Sequence, residues 1–91
     1  MNSYNVRFKV LRKEIRYNPK GNYRYFTYFP FEHRDIWLEA ENDDSIYNVI
    51  NMYVEKFNKN NIFKLDFDRI VGSVYGKSLK EVDKEGRLYN E

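Results

Sequence analysis

Hydrophobic and polar residues alternate along residues 4–10, which is the pattern of a β-strand with one buried face. The apolar residues of that face are Tyr4, Val6, Phe8 and Val10. From Leu11 onward the apolar residues occupy odd instead of even positions. A strand that keeps its pairing through such a phase change needs a β-bulge. We therefore predict one long strand with a bulge near residues 11–13.

The next segment predicts that this strand is the first arm of an antiparallel hairpin. Residues 18–21 read Asn-Pro-Lys-Gly, a turn composition, because proline fixes φ at roughly −65° and Gly21 accepts a positive φ. Residues 23–29 are aromatic and β-branched, and they predict a second strand. Pro30 either ends this strand or places it at a sheet edge, because proline has no N–H to donate.

Residues 36–41 alternate again and predict a third strand, with His33 in a polar turn before it. Residues 42–44 then provide an N-cap and negative charge for a helix. One helical face is marked by apolar residues at spacings of three and four, which are Ile46, Val49, Ile50, Tyr53 and Phe57. The helix is expected to end near residues 59–61, where asparagine tolerates the left-handed geometry of a C-cap.

Residues 63–67 alternate and predict strand four, while residues 70–75 are either its continuation past a bend or a fifth short strand. The chain from residue 77 onward is polar. Ser78 and Glu81 have the spacing of a capping box, which predicts one or two helical turns over residues 79–85, closed by Gly86. The alternative for residues 77–91 is a frayed polar tail.

The element order β-β-β-α-β predicts an α+β fold, an antiparallel sheet of four to five strands with one main helix on one face. Residues 1–91 leave room for a single domain, since domains usually run to ~100–150 residues. One helix covers one sheet face, but strand two has aromatic residues on both. One side has Tyr23, Tyr25, Phe29 and Phe31, and the other has Phe26 and Tyr28. We expect the surplus rings to be covered by the tail, a second copy of the chain or a partner.

The composition narrows the class of protein. Hydrophobic residues make up 42% and aromatic residues 19% of the chain, so it has material for a core and is unlike a disordered segment. The absence of cysteine excludes disulfides, thiol nucleophiles and thiolate metal ligands. The sequence contains no run of about 18 apolar residues, so it predicts no membrane span. Its first residues do not resemble a secretory signal. We expect a cytoplasmic protein.

Positive charge is concentrated near the start of the chain. Residues 1–26 contain seven basic residues and one acidic residue, whereas residues 27–91 contain nine basic and thirteen acidic residues. Basic groups attract phosphates and aromatic faces stack on bases, but the same residue types are also enriched in protein interfaces. The candidate binding residues on the hairpin are Arg7, Lys9, Arg12, Arg16, Tyr17, Lys20, Tyr23, Arg24, Tyr25 and Tyr28. The alternative is that the lysines and arginines only keep an exposed hairpin soluble and bind no partner.

The sequence contains no evident catalytic constellation. His33 is the only histidine, which excludes a multi-histidine metal site within one chain. Asp66 and Asp68 have the spacing of one strand face and, with a third acid, are able to hold Mg²⁺ as in a metal-dependent nuclease. Neutralisation of this pair by Lys64 and Arg69 is the alternative. We expect no enzymatic activity, no cofactor and no metal.

The short, Asn-, Lys-, Tyr- and Ile-rich chain without cysteine resembles small proteins of bacteriophages and mobile elements of low-GC bacteria. Many such proteins inhibit host defence, the anti-CRISPR proteins among them, by occupying a nuclease or its guide complex. The resemblance implies a non-enzymatic inhibitor with a host protein or ribonucleoprotein as partner. DNA-mimicking inhibitors are strongly acidic, so a basic chain implies contact with an acidic protein surface or a guide nucleic acid. The alternative is a nucleic-acid-binding accessory domain that uses the same hairpin, and a homodimer is compatible with both.

Overall fold

The structure is a computed structural model that describes residues 1–60 and 62–89. Its elements are β1 (Asn2–Asn18), β2 (Tyr23–Ala40), α1 (Ser45–Asn60), β3 (Phe63–Val74), α2 (Leu79–Lys84) and a short 3₁₀ turn (Arg87–Tyr89). The strands form an antiparallel sheet in the order β2-β1-β3. The predicted α+β class with one main helix is confirmed. The described residues form three long strands, however, instead of four or five.

The predicted strands two and three are one continuous strand, which accounts for most of this difference. β2 runs through Pro30 and His33, so the polar turn predicted around His33 is wrong, and this residue pairs with Lys9 in mid-strand. Val10 pairs with Glu32 but Leu11 with Pro30, which leaves Phe31 as an extra residue of β2. A strand tolerates proline at a sheet edge or at a bulge. Pro30 lies on the edge strand β2 and next to the bulged residue Phe31.

The predicted bulge is therefore close to its expected place but belongs to the other strand. The register shift lies between Val10 and Leu11, and the extra residue is in β2 and not in β1. β3 is also continuous, so residues 70–74 extend strand four and form no fifth strand in the described part of the chain. Its pairing with β1 shifts twice, which makes Asp68 and Val71 the extra residues.

The core lies between α1 and one face of the sheet. The four even-numbered residues predicted for β1 are buried there, together with Ala40, Ile46, Ile50 and Leu65. The remaining residues of the predicted helix stripe are half-buried and pack against this cluster. Asn42 caps α1 as predicted, because its Oδ1 accepts hydrogen bonds from the N–H groups of Asp44 (3.0 Å) and Ser45 (2.8 Å). α1 ends at Asn60, within the predicted range of residues 59–61, and residue 61 lies outside the described residues.

The segment after β3 forms the predicted helix. Ser78 Oγ accepts from the Glu81 N–H, and Glu81 Oε2 accepts from the Ser78 N–H at 2.8 Å, so the capping box is confirmed. Gly86 follows the helix with a φ of 75°. α2 lies at the sheet face away from α1, where its Leu79 N–H donates to Glu39 and its Val82 is fully buried. Residues 79–84 are thus helical, as the capping box predicts.

The hairpin extends well beyond the rest of the fold. β3 pairs with β1 only as far as Arg12, so from Lys13 to Tyr28 the first two strands pair only with each other. We call residues 11–31 the ribbon. The Cα radius of gyration is 16.8 Å, compared with about 12 Å for a compact domain of this length. The ribbon explains the elongated dimensions of 57 × 25 × 20 Å.

Candidate functional site

Local hydrogen bonds order the tip of the ribbon. Asn18 Oδ1 accepts from the N–H groups of Lys20 (3.0 Å) and Gly21 (3.2 Å), which closes the turn. The left-handed residue is Asn22 with a φ of 52°, so the prediction of a positive φ at Gly21 is wrong. A Cβ at position 21 would displace the exposed ring of Tyr23 from its place over the turn. Asparagine is among the few residues that adopt the left-handed conformation readily.

The strand register divides the ribbon into two faces, because paired residues share a face and successive residues alternate. The face that we call the Tyr25 face contains Arg12, Glu14, Arg16, Tyr23, Tyr25 and Phe29. The opposite face, the Phe26 face, contains Lys13, Ile15, Tyr17, Arg24, Phe26 and Tyr28. Lys20 lies at the tip. The candidate residues of the ribbon are therefore split between two faces.

Large apolar and aromatic side chains are exposed on both faces. Their exposed fractions run from 38% for Phe29 to 64% for Ile15. The set comprises Ile15, Tyr17, Tyr23, Tyr25, Phe26, Tyr28, Phe29 and Phe31. Monomeric proteins rarely expose large contiguous apolar patches, and those that do commonly use them for binding. The tail does not cover these residues, since α2 lies near Glu39, and their coverage by a second copy or a partner stays a prediction.

Cations lie over several of these rings. Lys13 Nζ is 3.9 Å from the centroid of Phe26, and the Arg16 guanidinium is 4.6 Å from that of Phe29. On the Phe26 face, Lys64 of β3 extends over Tyr28 at 5.2 Å. Such contacts hold side chains in place by attraction between the charge and the ring face. The exposed rings are thus partly ordered before any partner binds.

The ribbon is strongly positive. It contains five basic residues and one acidic residue, Glu14, whose carboxylate pairs with Arg16 at 3.1 Å. Arg12, Lys20 and Arg24 form no ion pair with any residue in the described ranges. A groove of about 340 Å³ at the base of the Phe26 face is lined by Lys13, Tyr28, Asn58, Ile62, Phe63 and Lys64. The groove thus adds Lys64 to the basic groups of that face.

Arg7 and Lys9 lie apart from the ribbon, on the sheet face away from α1. Arg7 forms a two-point contact with Asp35, from Nε to Oδ1 at 2.8 Å and from Nη2 to Oδ2 at 3.0 Å. This hydrogen bond lowers the pKa of Asp35 below its ordinary value and outweighs the opposing effect of burial. Lys9 pairs with His33 and Asp66 in the register. The structure does not bring these two basic residues together with the other candidates.

The same sheet face contains a cluster that sequence reasoning missed. A groove of about 400 Å³ is lined by Arg7, His33, Asp35, Asp68 and Arg69. His33 Nε2 lies 3.9 Å from Asp68 Oδ2. These residues come from three strands, and a prediction that puts His33 in a turn does not bring them together. Two arginines and two aspartates balance in charge, so the groove has no strong preference for an ion of either sign.

Among the described residues, no three histidine or acidic side chains are close enough together to hold a metal ion. Asp68 lines the groove of about 400 Å³, and Asp66 lies opposite Lys9 on the same sheet face. Neither helix in residues 1–60 and 62–89 has the length and apolar character needed to cross a membrane.

Comparisons of the chain with protein-family models, with curated proteins and with solved structures gave no significant match.

Proposed function

We propose that this protein is a non-enzymatic binding protein whose ribbon docks onto a macromolecular partner. The exposed apolar and aromatic side chains on the ribbon are the observation on which this rests. Complete burial of a fully exposed Ile or Phe side chain gains about 1.5–3 kcal/mol, and these side chains, which are 38–64% exposed, would gain part of that on binding. The core cluster and the residues packed against it include none of residues 11–31. Among the exposed rings, Phe31 contacts the body, because its centroid lies 5.4 Å from that of Phe63.

The resemblance to small phage and mobile-element proteins narrows the proposal to an inhibitor of a bacterial defence system. Such a protein acts in the host cytoplasm on a nuclease or its guide complex. An ordered ribbon suits this role, because side chains that are already held by ring and turn contacts lose little entropy on binding. The exposed basic residues favour an acidic surface of the target over its DNA channel.

The test is inhibition of purified, guide-loaded CRISPR nucleases by the full-length chain in a DNA cleavage assay. We expect one nuclease to be inhibited and the Phe26→Ala variant to raise the inhibitory concentration at least tenfold. Met52→Ala is the matched control, because Met52 is 70% exposed, compared with 61% for Phe26, but lies on α1, outside the ribbon. Equal potency of Phe26→Ala and Met52→Ala would contradict docking through the ribbon, and inhibition of no nuclease would contradict the anti-defence role.

The second candidate function, a nucleic-acid-binding accessory domain, is favoured by Arg12, Lys20 and Arg24, which lack ion pairs with described residues. A fluorescently labelled single-stranded oligonucleotide, titrated at several salt concentrations, tests it. Binding should weaken steeply with salt, and Arg12→Ala or Arg24→Ala should each reduce the logarithmic salt slope by about 1. Lys56→Ala, an exposed basic position on α1, should leave the slope unchanged. Association that does not respond to salt would exclude this function.

A further inference from the structure

We infer that the ribbon inserts into an acidic cleft of a partner protein and is covered there on both faces, instead of lying with one face on a flat surface. This inference rests on the proposed function and specifies its partner. The Tyr25 face exposes Tyr23, Tyr25 and Phe29, while the Phe26 face exposes Ile15, Phe26 and Tyr28. A flat partner would bury one of these sets and leave the other in water.

The size of the ribbon leads to the same conclusion. A standard protein interface uses ~20–30 residues of each partner. The whole ribbon offers roughly 20 residues, but a single face of it offers only about half of them. Packed β-layers lie about 10 Å apart. The cleft that accepts the ribbon therefore has walls roughly 20 Å apart, with one wall against each face.

The distribution of charge specifies the chemistry of the cleft. Arg12 lies on the Tyr25 face, Arg24 on the Phe26 face and Lys20 at the tip, and all three lack ion pairs with the described residues. A buried cation without a partner is strongly destabilising, and a carboxylate is the acceptor that both hydrogen-bonds to it and neutralises its charge. We therefore expect acidic residues on both walls and on the floor of the cleft.

The ribbon fits a protein better than a nucleic acid. A single strand stacks its bases along one face of its binding surface, which would leave the other face of the ribbon uncovered. Ile15, the most exposed apolar side chain of the ribbon, has no flat face on which a base stacks. Moreover, Lys13 and Arg16 lie over rings of the ribbon itself. A protein cleft with apolar and acidic side chains accommodates all of these groups.

Photo-crosslinking of the full-length chain in living bacteria that carry a CRISPR system tests the inference. Benzoylphenylalanine is placed at Tyr25 in one variant, at Phe26 in a second and at Met52 as the control. Both ribbon positions should crosslink to the same protein, at acid-rich segments, whereas Met52 should not. With that protein purified, Arg12→Glu and Arg24→Glu should each weaken binding at least tenfold, and Lys56→Glu should change it less than twofold.

Each other outcome overturns the inference in a recognisable way. Crosslinks from one face only would indicate flat docking and leave the proposed function intact. Crosslinks to a nucleic acid would favour the accessory-domain function, and crosslinks to a second copy of this chain would indicate a homodimer. No crosslink from either ribbon position would contradict the proposed function as well. Neither Tyr25 nor Phe26 belongs to the core, so the variants are expected to fold.

Discussion

Ile50 and Ile15 have the same side chain in opposite surroundings. Ile50 is 1% exposed within the core, whereas Ile15 is 64% exposed on the ribbon. We expect Ile50→Val to lower the free energy of unfolding by about 1 kcal/mol, because a buried methylene is lost and a small cavity remains. Ile15→Val should change it by less than about 0.5 kcal/mol. Urea unfolding followed by circular dichroism measures both, and equal losses would show that the ribbon packs within the isolated chain.

The contact between Arg7 and Asp35 predicts a pH-dependent contribution to stability. The pKa of Asp35 is lowered from its ordinary value of 3.8 by the hydrogen bond from Arg7. The carboxylate therefore stabilises the fold above that value, and the contribution is lost as the pH falls through the lowered pKa of the folded state. We expect Asp35→Asn to cost about 1 kcal/mol at pH 7. Urea unfolding at a series of pH values should show the difference shrinking below pH 3.8.

The matched control for this prediction is Glu32→Gln on the same strand. Glu32 pairs with Arg34 at 2.7 Å, but both side chains are more exposed than the Arg7–Asp35 pair. Exposed ion pairs contribute little, so we expect a change of less than about 0.5 kcal/mol at pH 7. If Asp35→Asn lowers the free energy of unfolding by the same amount at pH 7 and at pH 2, the stabilisation does not come from the charge of the carboxylate.

At the scale of single elements, α2 depends on the capping box that the sequence predicts. We expect Ser78→Ala to lower the free energy of unfolding by about 1 kcal/mol, because the first turn loses a side-chain acceptor for its N–H groups. Hydrogen exchange at the Val82 amide should accelerate, since this buried residue depends on α2 for its position. Ser73→Ala, at an exposed position of β3, is the control. If the exchange rate of the Val82 amide is unchanged in Ser78→Ala, burial of the Val82 side chain is enough to hold α2 in place without the cap.

The helices were predictable because their signals are local. α1 has five apolar residues on one stripe and a cap at Asn42, and α2 has Ser78 three residues before Glu81. β2 was divided in error because Pro30 and the polar residues after it have the composition of a turn. The sequence does not reveal that this strand lies at the sheet edge, and proline is acceptable only there or at a bulge.

The candidate site was predictable in its residue types but not in its geometry. Alternation identified exposed basic and aromatic residues on the hairpin, and the structure shows that the rings are exposed. Alternation also predicted that Tyr25 and Phe29 lie on one face of the second strand and Phe26 and Tyr28 on the other. Which basic residues of β1 share a face with these rings depends on the register between β1 and β2. The sequence pattern of a single strand does not contain that register.

For the whole molecule, the relation between ribbon and body is one-sided. A two-stranded hairpin is at best marginally stable on its own. The ribbon therefore depends on the three-stranded body, which continues both of its strands. The body has its own core between α1 and the sheet, and that core includes none of residues 11–31. The fold thus separates the part that supplies stability from the part that is available for binding.

This separation predicts that the body folds without the two-stranded part of the ribbon. In the variant, residues 13–28 are replaced by Asn-Gly, which joins the paired residues Arg12 and Phe29 by a short hairpin turn. We expect cooperative thermal unfolding with the helical signal of α1 retained, and a radius of gyration by X-ray scattering that falls to about 12 Å. The same variant should lose binding to the partner, because every exposed ring of the ribbon except Phe29 and Phe31 is removed. A shortened chain that does not fold would show that the ribbon stabilises the body, and one that folds and still binds would place the docking surface elsewhere.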